Sequence, residues 1–396
     1  MQAVTAQQLQ RNYRIQSIDL LRGIVMVIMA LDHVRDFFHW SAFKYDPLDF
    51  SHTSTPIFMT RWITHFCAPV FVFLAGTSAW LIGVRKGKKA LSKLLLTRGL
   101  WLLLVEVIVM NFAFFFDIHF NAIVLQVIWA TGISMIFLSF LVFLPKRILL
   151  ILALLIIGGH NLLDNFHVEG NGADAVVWSM LHELKFFTFG KFNLLILYPV
   201  LAWIGVMCAG YCFGELYTNY DAARRKKLLI IIGSVCIILF IVIRYINVYG
   251  DLSHWHKQNT PVFTVLSFIN TTKYPPSLLY ILMTIGPAIL VLAFIEGPLS
   301  KAGKIISTYG RVPMFYYIIH FYVIHIGFII AALLTGYNWD KAINAGPITQ
   351  PLPDYGFKLW QVYLIWITIV ALLYPLCRWY SNYKLRNPQK WWLSYL

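Results

Sequence analysis

DLLRGIVMVIMALDHVRDFFH, residues 19–39, is an apolar run long enough to cross a bilayer, yet it carries Asp32, His33, Arg35 and Asp36 within a turn and a half. An ionisable side chain near the bilayer centre costs roughly 2.5–3.5 kcal/mol on insertion scales, so such groups belong against protein or a water-filled cavity. At 100° per residue, Arg22 and His33 fall about 20° out of register and about 16 Å apart along the helix axis. Asp19, Arg22, Met26, Met29, His33 and Asp36 therefore form one stripe, a cation near one end and an imidazole toward the other. Asp32 points about 100° away from His33, toward Arg35 or Arg61 as pairing partners.

The rest of the chain fits a membrane setting. Of 396 residues, 59% are hydrophobic and 12% charged, against about 25% charged in soluble domains. The net charge of +15 would suit nucleic acid or anionic lipid, but the Lys and Arg lie in short loops between apolar segments, which speaks against nucleic acid and for membrane lipid. Cys67, Cys208, Cys212, Cys236 and Cys377 all lie in or beside apolar segments, so no disulfide framework is indicated. The polar N-terminus lacks a small-residue cleavage site after its first apolar run, which reads as a retained span.

Length and apolar content predict an all-α, polytopic integral membrane protein of about ten spans. They run roughly over 18–39, 57–84, 91–116, 122–144, 146–163, 192–214, 226–249, 276–295, 311–336 and 357–380. Segment 164–190 is expected to add an interfacial helix. Residues 1–396 read as a single domain, with 1–17 a cytoplasmic N-terminal segment and 381–396 a basic, aromatic interfacial tail. Alternate loops divide the cations unequally. One side collects Arg11, Arg14, the RKGKKALSK cluster at 85–93, Lys146, Arg147, RRKK at 224–227, Lys301, Lys304, Arg311, Arg378, Lys384, Arg386 and Lys390. The other has Lys44, Lys185, Lys191, Lys257, Lys273 and Lys341. The bias predicts that both termini are cytoplasmic. Pro56 and Pro276 suit helix starts, whereas Pro69 and Pro287 fall inside spans, where kinks can open a cavity.

Polar residues gather toward the outer ends of the spans: His33 and Asp36 on the first, Arg61 and His65 on the second, His320 and His325 on the ninth, and Lys273 at the mouth of the eighth. A histidine beside a carboxylate has the makings of a general base, its pKa near neutrality and its tautomer set by the neighbour. His33 with Asp36 at i+3, and Asp32 nearby, are the catalytic candidates. The plainer alternative is that the cluster locks the first span to the second through buried ion pairs. Arg22, paired with Asp19, and Arg98 read either as interfacial cations or as ligands for the phosphates of a nucleotide-bearing cofactor. Glu106 is not a catalytic candidate. There is no zinc signature, phosphate-cradling glycine loop or serine-nucleophile elbow.

RIQSIDLLRGIVMVIMALDHVRD (14–36), TRWITHFCAPVFVFLAGTSAWL (60–81), LYPVLAWIGVMCAGYCFG (197–214), TKYPPSLLYILMTIGPAI (272–289) and GRVPMFYYIIH (310–320) resemble a bacterial membrane family grouped with the catalytic domain of heparan-α-glucosaminide N-acetyltransferase. SIDLLRG and PVFVFLAG are the most specific parts. A wider group of transmembrane acyltransferases carries in its first span an Arg, ten residues, then a His, which Arg22 and His33 match. In the heparan-type branch the catalytic histidine lies further along, in the first exterior loop, where this sequence has His39 and His52.

The resemblance implies an enzyme that takes an acyl group, acetyl foremost, from cytoplasmic acyl-CoA to a sugar amine or hydroxyl across the inner membrane. His33 would be catalytic, and Arg22, Asp19, Met26, Met29 and Arg98 would hold acyl-CoA as cosubstrate, with no metal required. Arg61, His65, Lys273, His320 and His39 would meet the small-molecule or glycan acceptor, and Arg61 or His65 would steady an oxyanion. A homodimer is a further expectation. The rival is a proton-coupled transporter or sugar translocator, in which intramembrane His and carboxylates also occur; such proteins often have repeated halves, and no repeat is evident here.

Overall fold

A computed structural model describes residues 15–42, 44–346 and 352–395. Arg11, Arg14 and the rest of the N-terminal segment through residue 14, and Leu396, lie outside the described residues. The main helices are α1 (Gln16–Phe38), α2 (Thr55–Thr64), α3 (Cys67–Lys86), α4 (Lys88–Leu104), α5 (Val127–Leu141), α6 (Lys146–Gly159), α7 (Leu201–Phe213), α8 (Ala222–Ile246), α9 (Leu278–Phe294), α10 (Lys301–Arg311), α11 (Pro313–Leu334) and α12 (Leu359–Arg386). Helix makes up 70% of the structure.

Six helical stretches are long and apolar enough to span a membrane by length and composition: Thr55–Lys86, Lys88–Phe115, Lys146–Leu163, Ala222–Ile246, Pro313–Leu334 and Leu359–Arg386. α5 and α9 are apolar but shorter. α1 has the length, at 23 residues, but carries the charged cluster.

The all-α expectation needs correction at two of the ten segments. Runs 122–144 and 192–214 begin as strands, β1 (Ala122–Leu125) and β3 (Phe192–Ile196), and turn helical only at Val127 and Leu201. With β2 (Lys185–Phe189) they form a sheet of order β1-β3-β2, β3 parallel to β1 and antiparallel to β2. Its register sets Val124 opposite Leu195 and Phe187 opposite Leu194. Leu125, Ala175, Phe187 and Ile196 bury one small core beneath it. Segment 164–190 contributes a short helix, Ala173–Leu181, and then β2, rather than one interfacial helix.

α1 lies between the two large apolar cores. Ile18, Leu21 and Val25 join one, built largely from α3, α7 and α9. Met26, Ala30, Leu31, Val34, Phe37 and Phe38 join the other, with α11 and α12. Two close crossings rely on glycine. A Cβ on Gly310 of α10 would collide with the Asp19 carbonyl and the Gly23 amide of α1, and one on Gly210 of α7 would strike the Phe73 carbonyl of α3. Gly310→Val is therefore expected to force α10 off α1 and lower the thermal midpoint by several degrees, since overpacking costs about 1–3 kcal/mol or more. Gly303→Ala is the control, because a Cβ there meets Ser300 and Leu299 at 3.4 Å or more. Equal midpoints for the two variants in a detergent melt would refute this account of the crossing.

The second span is interrupted, for a local reason. Pro69 has no N–H to give the His65 carbonyl one turn back, so the helix breaks between α2 and α3. The Tyr280 hydroxyl of α9 donates to that carbonyl instead, at 2.8 Å. The break turns Arg61 and Thr64 at the end of α2 toward Asp32 of α1. Pro69 thus marks a helix start rather than a mid-span kink.

Candidate active site

Asp32 is the electrostatic hub. Arg61 Nη1 donates to both of its carboxylate oxygens at 2.8 and 2.6 Å. Arg35 Nη2 lies 2.9 Å from Oδ1, the Thr64 hydroxyl donates to it at 2.9 Å, and Lys273 Nζ stands 3.9 Å from Oδ2. The Arg35, Arg61, Asp32 and Lys273 side chains are each at most 13% exposed, so these charges depend on one another. Both pairing partners expected for Asp32 are used together. Asp36 departs from expectation: its carboxylate takes Arg35 Nη2 at 2.5 Å, and no hydrogen bond joins it to His33 among the described residues. Its adjacency to His33 on the helix holds, but the neighbouring guanidinium, always charged, outcompetes an imidazole for the carboxylate.

His33, Asp32, Asp36, Met29, Arg61, Thr64, Lys273 and the tyrosines Tyr198, Tyr274 and Tyr317 line one cavity of about 230 Å³. The His33 ring packs on Phe321, centroids 4.5 Å apart, and on His320 at 5.4 Å. No protein group hydrogen-bonds the His33 ring among the described residues. The aromatic neighbours hold the imidazole in place without occupying its nitrogens. Gln126 joins the wall at the end of β1. Its backbone N–H donates to the Glu106 carboxylate at 2.9 Å, and Glu106 sits in a π turn, Val105–Met110, that continues α4. Asn111 clamps the same strand, its amide donating to the Val124 carbonyl and its carbonyl accepting from the Val124 N–H. Glu106 is in this sense a bracket for the sheet edge.

The remaining expected acceptor residues lie off the cavity. His65 is fully buried against Tyr280 and does not line it; the helix break turns its ring into the core, so its expected place as an oxyanion donor needs correction. His39, also buried, hydrogen-bonds Ser41 at 2.8 Å. His320 is bonded to the Tyr316 carbonyl at 2.9 Å and stacks on that tyrosine, reaching the cavity only through His33. His325 bonds the Ala113 carbonyl at 2.7 Å. The exposed His52 pairs with Asp49 at 2.7 Å.

A second cavity, about 240 Å³, lies at the other end of α1. Arg22, Arg98, Arg311 and Lys384 line it, with Ser78 and Tyr395. Arg22 is fixed there by the Ser78 hydroxyl at 2.8 Å, the Gly310 carbonyl at 3.2 Å and Asp19 at 3.4 Å. The Gly23–Gly310 contact that brings α10 onto α1 thus also aims this guanidinium. The chain's last described residues close one side: α12 runs on to Arg386, and the Tyr395 hydroxyl donates to Thr97 at 2.9 Å, with the Arg98 guanidinium 6.0 Å from the tyrosine ring centre. Asp19 supports Arg22 but does not line the cavity, and Met26, expected along the cofactor track, is packed into the α11–α12 core.

Phe71 of α3 and Ile128 of α5 line both cavities. They form the wall where the two approach each other. Arg311, Lys384, Ser78 and the cavity tyrosines were not among the expected site residues. Arg311 and Lys384 read in the sequence only as loop cations. A family model described as Heparan-alpha-glucosaminide N-acetyltransferase, catalytic, matches residues 14–245. That stretch holds His33, Asp32, Arg61, Arg22 and Arg98; Lys273, Arg311 and Lys384 follow it. No curated protein matches the chain.

Proposed function

The chain belongs to the heparan-α-glucosaminide N-acetyltransferase catalytic-domain family, and from that premise we propose that it transfers an acyl group, acetyl foremost, from cytoplasmic acyl-CoA to an amine or hydroxyl of a sugar or glycan on the far side of the inner membrane. The observation that carries this reading is the pairing of two cavities along α1, one lined by four cations and one by His33. The cations suit the phosphates of CoA, since guanidinium and ammonium groups form charge-assisted hydrogen bonds with phosphate oxygens. The pantetheine arm would run past Phe71 and Ile128 and bring its thioester to His33. Both termini, on this reading, are cytoplasmic.

In the reaction the acceptor oxygen or nitrogen attacks the thioester carbonyl while His33 takes its proton. The tetrahedral oxyanion forms beside Arg61 and Lys273, in a cluster where two carboxylates, Asp32 and Asp36, face three cations, Arg35, Arg61 and Lys273. The C–S bond then breaks, and the thiolate leaves with the proton that His33 gives back. Asp32 holds the cations in place rather than touching the imidazole.

Acetyl-CoA added to the purified protein is expected to raise its thermal midpoint by a few degrees, as saturation to 100 times Kd stabilises by about 2.7 kcal/mol. Arg311→Ala is expected to raise KM for acetyl-CoA by roughly 10- to 100-fold with kcat nearly unchanged, because a charged hydrogen bond is worth about 1.5–3 kcal/mol. A protein whose midpoint ignores CoA and acetyl-CoA alike would overturn the proposal and favour translocation.

A further inference from the structure

A second cluster of ligating side chains lies away from both cavities. α6 ends in a 3-10 turn, His160–Leu163, followed by Asp164, and the short helix Ala173–Leu181 is capped by His182. One ring nitrogen from each histidine and one Asp164 oxygen lie within 4.8 Å of one another. His182 Nε2 is 2.9 Å from Asp164 Oδ1, and the two imidazole rings stand edge to face at 5.6 Å. His160 is 3% exposed, and neither of its ring nitrogens has a hydrogen-bond partner. A buried imidazole with both nitrogens unsatisfied is unfavourable unless something else engages it.

We propose that His160, Asp164 and His182 bind one divalent cation of the zinc class, tying the end of α6 to the segment that enters β2. The donors suit that ion, since two imidazoles and a carboxylate favour zinc and its neighbours, whereas magnesium and calcium prefer all-oxygen sites. The surroundings are organised as metal sites commonly are. Asn161 donates to Asp164 Oδ2 at 2.8 Å and leaves Oδ1 directed at the histidines. The ion would take the place of the direct His182–Asp164 contact, with each side chain turning the atom it now offers the other toward the metal. Water would complete the fourth position.

The site is well placed to stiffen the active cavity from a distance. The Asn161 side-chain oxygen Oδ1 accepts the Leu278 N–H at the first turn of α9 at 2.9 Å, just beyond the loop that carries Lys273 and Tyr274. The segment after His182 leads through β2 and β3 to Leu197 and Tyr198, which line the His33 cavity. The ion's role is accordingly structural.

The test uses the full chain purified in detergent, stripped with EDTA and titrated with zinc or magnesium while metal content and thermal midpoint are measured. About one zinc per chain and a midpoint rise of several degrees are expected, with no response to magnesium. His160→Gln, close in size, should lose the bound zinc and the rise, whereas His52→Gln should keep both. Absence of zinc binding by the wild type, equal responses to zinc and magnesium, or zinc retained at full stoichiometry by His160→Gln would each overturn the proposal. The wild-type titration decides even if the variant fails to fold, and it is independent of any acyl transfer.

Discussion

Replacing His33 by alanine is expected to lower acyl transfer by roughly 10²–10⁴-fold, the usual contribution of a general base, while leaving the thermal midpoint and CoA binding close to wild type. The ring is partly exposed to the cavity and touches its neighbours by aromatic contact with Phe321 and His320. Truncation therefore removes a proton acceptor without opening a buried ion pair. Arg22, Arg98, Arg311 and Lys384 line the other cavity, beyond Phe71 and Ile128, so the nucleotide end should bind as before. Transfer assays with acetyl-CoA and an acceptor panel, run beside CoA-binding measurements, check both halves. Turnover within a few fold of wild type would remove His33 from the mechanism.

Asp32→Ala is expected to act mainly through stability. It strips the shared counter-ion from Arg35, Arg61 and Lys273, all with side chains mostly out of water. Breaking a buried pair by removing one partner costs about 3–5 kcal/mol, and here one carboxylate serves three cations. The thermal midpoint should fall by many degrees, with transfer lost as the cavity rearranges. Asp36→Ala should be much milder, because Asp36 meets Arg35 at a side chain 36% exposed. Similar midpoints for Asp32→Ala and wild type, in the same detergent, would contradict this view of the cluster.

Much of this was legible in residues 19–39, because a helix has one period and ionisable groups in an apolar run must face inward. The stripe through Arg22, Met29 and His33 survives in the structure as the lining of two cavities. Its finer assignments depended on neighbours that no periodicity reveals: Arg35 takes Asp36, and Met26 turns into the α11–α12 core. AIVL and FNLLI read as parts of spans because a short apolar run is equally compatible with strand and helix; pairing of residues 71 positions apart, as with Val124 and Leu195, decides between them. Arg311 and Lys384 reach the cation cavity only because α10 and α12 both pack on α1. The His160–Asp164–His182 group was invisible for the same reason, its last member arriving from a segment expected to lie flat on the membrane.

Phe71 and Ile128 carry a consequence for the cell as well as for chemistry. Any protein that lets a reactive chain reach through a bilayer risks leaving a wet channel behind it, and such a channel would dissipate the proton gradient. If transfer follows the proposed route, the greasy side chains from α3 and α5 that line both hollows would insulate it, and only a long, slender guest would need to displace them. On that reading, conductance would stay shut while the route is empty, and the energy stored across the membrane would be preserved between turnovers.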